Sequence, residues 1–290
     1  MAIKKPTSVN EQINILKSRG LVINDDEDAK SFLMEVNYYR FSGYTKLFSQ
    51  NDKYENGITF DFMKSIYKFD EEFKNVLLKY IFYIEVLIKT QIAYILSLNL
   101  GELFYKDKIY FSSNDHFNEL SDSINKKIER FKDEKYIQHY EKEKLPIWVL
   151  VEILSFSDVS MLFANLKPEY QKQVATGYLN TNASYLKSYL YSLTTIRNCC
   201  AHGARIYGKY FEKNPRIAKK DAKKLATHGI TILNSSQKVF IYIYAMFKII
   251  VSRNIKNEFI KELKKLFNHY NIDNDYIGFP EKWEILLRSL

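Results

Sequence analysis

Apolar residues recur at helical spacing from about Phe60 to Leu98, and a stretch that long admits few folds. Val76, Leu77, Tyr80, Ile81, Ile84, Leu87, Ile88 and Ile92 fall on one broad stripe. A stripe of that width belongs to a helix at the centre of a bundle. Only nine glycines and five prolines occur in 290 residues, too few for an all-β chain full of tight turns. The expected class is all-α: a helical bundle with an N-terminal helical extension and C-terminal helices.

The remaining segments agree with that class. Ser8 to Glu11 forms a capping-box pattern ahead of Ile13 and Leu16, and Gly20 suits a helix stop. Asp25 or Asp26 caps a second helix, and a third covers Asn37–Phe48. Asn56-Gly57 marks a turn, with Thr59 or Asp61 starting the long helix. Residues 114–144 are charged and sparsely apolar, and read as one or two exposed helices. Pro146 opens an apolar helix through Leu154, and a turn follows near Lys167-Pro168. Thr181 or Asn182 caps a helix whose stripe is Leu186, Leu190, Leu193 and Ile196. Asn214-Pro215 is expected to start a basic helix. Helices over Val239–Val251 and Asn257–Tyr270, and a short one near Trp283, complete the chain. No strand pair, internal repeat or glycine-rich phosphate loop is evident. The expected division is an N-terminal unit, 1–55, packed on a larger domain, 56–290.

Composition narrows the partners. Lys and Arg exceed Asp and Glu by 43 to 34, a net charge of +9, which favours a polyanion. The 23 Tyr and 20 Phe accompany abundant Lys, Ile and Asn, so they reflect a compositional bias as readily as a site. The two cysteines, Cys199 and Cys200, are neighbours and cannot bridge each other without strain. The N-terminus has no apolar signal region, and the longest apolar run, Val239–Val251, falls short of the roughly 20 residues of a bilayer span. A cytoplasmic protein without membrane contact is expected.

The chemistry concentrates in Arg197-Asn198-Cys199-Cys200-Ala201-His202, followed by Arg205. A guanidinium clamps phosphate through two hydrogen bonds, and an imidazole moves protons near neutral pH. RNA cleavage without a metal needs a base for the 2′-hydroxyl, an acid for the leaving 5′-oxygen and a positive group for the phosphorane. Arg197, Asn198 and His202 are the candidate catalytic residues. Asn198 and His202 share a helix face at i,i+4, while Arg197 lies five residues from the histidine. One chain offers one well-placed histidine, so a two-fold homodimer that joins two such patches is expected.

Other chemistries fit less well. Cys199, Cys200 and His202 give three zinc ligands where about four are needed. A Cys199–His202 nucleophile pair lacks an orienting third group. No metal or cofactor is expected. A plain helix end, capped by Arg197 and His202, is the alternative to any catalysis. For RNA contact the candidates are Lys89, Arg205, Tyr207, Arg216, Lys219, Lys220 and Lys223. The last four lie in a stretch, Lys209–Lys224, with seven basic and two acidic residues. Glu85 and Lys89, four apart, read most simply as a solvated ion pair.

Four blocks in order resemble the AbiD/AbiF-type abortive infection proteins of bacteria. They are residues 4–48 with the NYYR-x-SGY core at Asn37–Tyr44, then Thr59–Tyr94, Pro146–Leu166, and Leu193–Tyr207 with RN-x-CAH-x-x-R. The resemblance implies a HEPN-like domain, in which the motif ending in Arg197 and His202 carries metal-independent RNase activity at paired domains. It also implies phage defence by a toxin-like shutdown and, for some members, a bound structured non-coding RNA. A non-catalytic RNA-binding role is the alternative. After the second arginine the family has an aromatic residue and then asparagine. Tyr207 keeps the aromatic, and Gly208 replaces the asparagine.

Overall fold

The computed structural model describes residues 5–141, 144–227 and 237–290, and most of these are helical. Residues 142 and 143 of the expected exposed stretch lie outside them, as do residues 1–4 of the expected N-terminal unit. Helix α1 (Val9–Ser18) starts at the Ser8–Glu11 capping box, and α2 (Asp26–Glu35) starts at Asp25, whose carboxylate accepts from two backbone amides. Helix α3 (Tyr38–Thr45) is capped by Asn37 and runs into a single 3₁₀ turn ending at Phe48. A two-residue antiparallel hairpin, Ser49–Gln50 with Lys53–Tyr54, follows. No apolar alternation marks it in the sequence; its tip, Asn51-Asp52, makes the turn.

Helix α4 (Phe60–Leu100) begins at Thr59 and ends at Gly101, which takes φ +91°. Its 41 residues extend about 60 Å at 1.5 Å per residue. Around it lie α3, α7 (Ile147–Ile153), α8 (Phe156–Asn165), α9 (Pro168–Thr176), α10 (Ala183–Ala201), α12 (Phe240–Ile249) and α13 (Arg253–Tyr270). Helix α5 (Asn114–Phe131) packs on α8 through Leu120, Ile124 and Ile128. The remaining helices, α6 (Lys135–Gln138), α11 (Lys219–Ala226) and α14 (Trp283–Arg288), are short. The chain is all-α, as its periodicity implies.

The helix expected from Pro146 through Leu154 is α7; beyond it Ser155 and Asp158 form a second capping box that starts α8, a helix the expectation lacks. One boundary differs. The basic helix starts at Lys219 rather than at Asn214-Pro215, so residues 214–218 are not helical and Arg216 stands outside α11.

Aromatic side chains join the layers. Tyr80 of α4 stacks on Phe259 of α13 with centroids 3.9 Å apart. Phe69 meets Phe73, Tyr207, Phe267 and Tyr270, and Phe267 continues to Phe279 and Trp283. Such pairs add orientation to simple burial. By length and composition α4 is the one helix among the described residues able to cross a membrane. Here it is the core helix, with Asp70, Lys74 and Glu85 buried along it, while Phe82, Val86, Tyr94 and Leu98 line its exposed face.

The burial pattern of α4 sets opposite outcomes for two neighbouring truncations. Ile84 is fully buried and Val86 is 62% exposed. Ile84→Ala is expected to destabilise the fold by about 2–5 kcal/mol in urea unfolding. Val86→Ala is expected to change it by no more than about 0.5 kcal/mol. Equal effects of the two would contradict the assigned face.

Candidate active site

Helix α10 is capped by Asn182 and buries Leu186, Tyr189, Leu190, Leu193 and Ile196, which fixes how its last turn faces. That turn carries the motif. Arg197 is half-buried; its Nη1 donates to Asn198 Oδ1 at 3.4 Å, and its Nε is sealed from solvent with no hydrogen-bond partner. No carboxylate among the described residues pairs with this guanidinium. Asn198 and His202 are both exposed. His202 is the C-cap, and its backbone N–H donates to the Asn198 carbonyl at 3.0 Å.

The helix ends in a Schellman motif. Gly203 takes φ +64°, its N–H donates to the Cys200 carbonyl, and the Ala204 N–H donates to the Cys199 carbonyl. A Cβ at residue 203 would lie 3.0 Å from the Arg40 guanidinium. Arg40, on α3, donates to the Gly203 carbonyl, to the Tyr67 hydroxyl and to Glu71. The chain after His202 is thus held by a residue more than 160 positions earlier.

A stronger hold comes from Asp70 on α4, which is fully buried. Its carboxylate accepts from the Tyr44 hydroxyl at 2.7 Å, from the Tyr207 N–H at 2.7 Å and from the Ile206 N–H at 3.2 Å. Lys74 Nζ, also buried, lies 3.5 Å away. Burial, with Asp70 next to it, pushes the Tyr44 phenol up, so Tyr44 stays a donor. A carboxylate that accepts this many hydrogen bonds is tolerated in a core. Asp70 was missed in the sequence. Its signal is an acid on the apolar stripe Ile66–Phe73–Leu77, at core spacing.

The other sequence candidates scatter. Tyr207 is fully buried, stacks on Tyr276 and donates its hydroxyl to the Asp273 carbonyl, so it packs the core and offers no surface to RNA. Arg205 is half-buried, donates to the Tyr207 carbonyl and lies 6.0 Å from the centre of the Tyr44 ring. Burial lowers its pKa. Lys89 pairs with Glu85 at 3.0 Å, with each side chain only 12% exposed, so this pair is largely shielded rather than solvated. Lys219, Lys220 and Lys223 are exposed on α11, which is anchored from beneath by Asp221 and Leu225. Asp221 accepts from the Tyr244 hydroxyl and pairs with Lys248. Arg216 is exposed, and its backbone N–H donates to Ser188 Oγ of α10 at 2.8 Å.

Gly208 takes φ +64°, in the left-handed region that glycine and asparagine tolerate best. The two Leu47 methyls lie 2.6 and 2.9 Å from where a Cβ would stand, so the turn at residue 208 has no room for a side chain unless Leu47 moves. The cysteines are unlike each other. Cys200 is buried and its thiol is pushed up by burial, whereas Cys199 is half-buried with Lys209 Nζ 3.3 Å from its sulfur. Among the described residues, no three His, Cys, Asp or Glu side chains come together as metal ligands.

Chemically, the end of α10 offers an exposed imidazole and amide beside an uncompensated guanidinium. A family described as Abi-like protein matches the chain over residues 31–208, which spans α3, α4, the α10 motif and the loop held by Asp70. No curated protein and no solved structure matches the chain.

The role given to Asp70 is open to a direct check. Asp70→Ala leaves three donors without their acceptor and the buried Lys74 with Glu71, 3.6 Å away, as its counter-ion. It is expected to cost about 3–5 kcal/mol in denaturant unfolding. Amide exchange at Ile206 and Tyr207 should accelerate more than in the centre of α10. Unchanged exchange at those two amides would show that something else holds the loop.

Proposed function

The chain belongs to the family of Abi-like proteins and so has a role in abortive infection, and from that premise we propose that it acts as a metal-independent endoribonuclease. The observation that carries the proposal is Arg197. A partly buried cation with no carboxylate partner among the described residues and an unpartnered Nε calls for an anion, and a phosphate diester has the geometry a guanidinium fits best.

In this mechanism Arg197 steadies the charge that accumulates on the phosphorane, and Asn198 orients the phosphate or the imidazole. His202 transfers the protons. The 2′-oxygen loses its proton and bonds to phosphorus, the bond from phosphorus to the 5′-oxygen breaks, and that oxygen takes up a proton. One imidazole cannot be deprotonated base and protonated acid in the same event. Two chains related by a two-fold axis bring two imidazoles and two guanidinia to one cleft, with one in each role. The exposure of Asn198 and His202 leaves that face open to a second copy.

Support for the reading also comes from how the site is held. A general acid or base acts only within hydrogen-bond reach of its proton. The Schellman turn, Arg40 and Asp70 restrict the backbone that follows His202 in three independent ways.

His202→Ala and Arg197→Ala are each expected to reduce cleavage of mixed RNA by about 10²–10⁴-fold, with EDTA without effect on the parent chain. Specific activity should also fall on dilution below the dimer's dissociation constant. Cleavage that survives the His202 change, or that requires a divalent cation, contradicts the mechanism. Tight RNA binding by parent and variants alike with no cleavage identifies a non-catalytic RNA-binding role instead.

A further inference from the structure

We propose that the groove between α8 and α10 is a docking subsite for an unpaired nucleotide of single-stranded RNA. The proposal rests on the nuclease reading above and names where its substrate lies.

The groove, of about 450 Å³, has Met161 and Ala164 of α8 on one side and Ser188 and Tyr191 of α10 on the other. Lys187 and Arg216 stand at its edges, and no carboxylate lines it. Lys187 Nζ donates to the Ala164 carbonyl near the end of α8, which fixes its position but leaves its charge without a counter-ion among the described residues. Arg216 is placed by its own backbone bond to Ser188, while its guanidinium has no partner among the described residues. Tyr191 is half exposed, and Lys213 Nζ rests 4.7 Å from the centre of its ring.

An aromatic ring beside an apolar floor, edged by three cations and free of acids, matches what binds unpaired nucleic acid: a base stacks on the ring and phosphates meet the cations. A cation on an exposed ring is held weakly. Lys213 can therefore turn to a phosphate while a base takes its place over Tyr191. A duplex, whose bases are already stacked on one another, gains nothing from the ring.

The position of the groove ties it to the motif. Ser188, Tyr191, Asn198 and His202 are spaced 3, 7 and 4 apart, so they share one stripe of α10. Tyr191 lies about 10 Å along the axis from Asn198, the length of about three stacked nucleotides. One strand can occupy the groove and reach the end of the helix without leaving that face. Arg216 thus contributes from a non-helical strap rather than from the basic face of α11.

The test is binding of a short fluorescein-labelled RNA, single-stranded or annealed to its complement, by fluorescence anisotropy. It is made in the His202→Ala background so that cleavage does not interfere, while cleavage is scored separately in chains that keep His202. Tyr191→Ala and Arg216→Ala are each expected to weaken single-strand binding about ten-fold. Tyr191→Phe should bind as the parent does, and duplex binding should not respond to Tyr191. Both side chains are exposed, so thermal unfolding should stay close to that of the parent. Undiminished single-strand binding by both alanine variants, or no RNA binding by any chain, overturns the subsite. If binding falls as expected and no chain cleaves, the subsite stands and the nuclease reading fails. If cleavage depends on His202 and binding is undiminished, the subsite alone fails.

Discussion

The buried carboxylate of Asp70 is the interaction on which the arrangement of the site depends. A charge without water is costly unless hydrogen bonds and opposite charge replace its hydration. Asp70 has both, from Tyr44, two consecutive backbone amides and Lys74. Two of its donors belong to the chain that leaves α10. The central helix thereby fixes the path of residues 203–207, and with it the direction in which the last turn of α10 ends. Arg40 does the same from the N-terminal side by holding the Gly203 carbonyl. Segments separated by more than a hundred residues converge on one loop, and that loop follows directly on His202. The family match extends from residue 31 to residue 208, and Arg40, Asp70 and the loop all fall within it.

Much of this was legible where local chemistry decides the outcome. Ser8, Asp25, Thr59 and Asn182 cap the helices their sequence context implies, because a short polar side chain at a helix start satisfies backbone amides wherever it occurs. The long stripe identified α4 as central. What local chemistry does not decide was read less well. The helix from Pro146 through Leu154 is legible, whereas α8 is not, since its apolar residues hide the second capping box at Ser155. The basic segment looks helical from Pro215, although residues 214–218 pass α10 without helical structure, with the Arg216 N–H bonded to Ser188. Asp70 has the same local pattern as an exposed acid, and only the distant loop reveals its partners. Glu85 and Lys89 were read as solvated because spacing carries no information about the helices that later cover them.

The site candidates divide along the same line. Arg197, Asn198 and His202 are neighbours in sequence, so one helix end holds them together. The residues chosen for charge or for following the motif fall in different environments. Tyr207 lies in the core, Arg205 is turned inward, Lys89 is already paired, and the lysines of α11 face outward. Helix α10 links what remains. Its first half carries Ser188 and Tyr191 beside the cations of the strap, and its last turn carries Asn198 and His202 on the same stripe. On the proposed reading, strand binding and proton transfer fall on the middle and the last turn of one rigid element.

The central claim is that His202 and Arg197 promote attack by the 2′-hydroxyl of the RNA itself, without a metal. The most direct measurement uses an RNA with one mapped cleavage position, incubated in EDTA, with and without a single 2′-deoxy nucleotide at that position. The account predicts that the all-RNA strand yields a 2′,3′-cyclic phosphate and a 5′-hydroxyl end by mass spectrometry, and that the deoxy substitution abolishes the cut. Cleavage of the deoxy-substituted position, or products with 5′-phosphate ends, would contradict it.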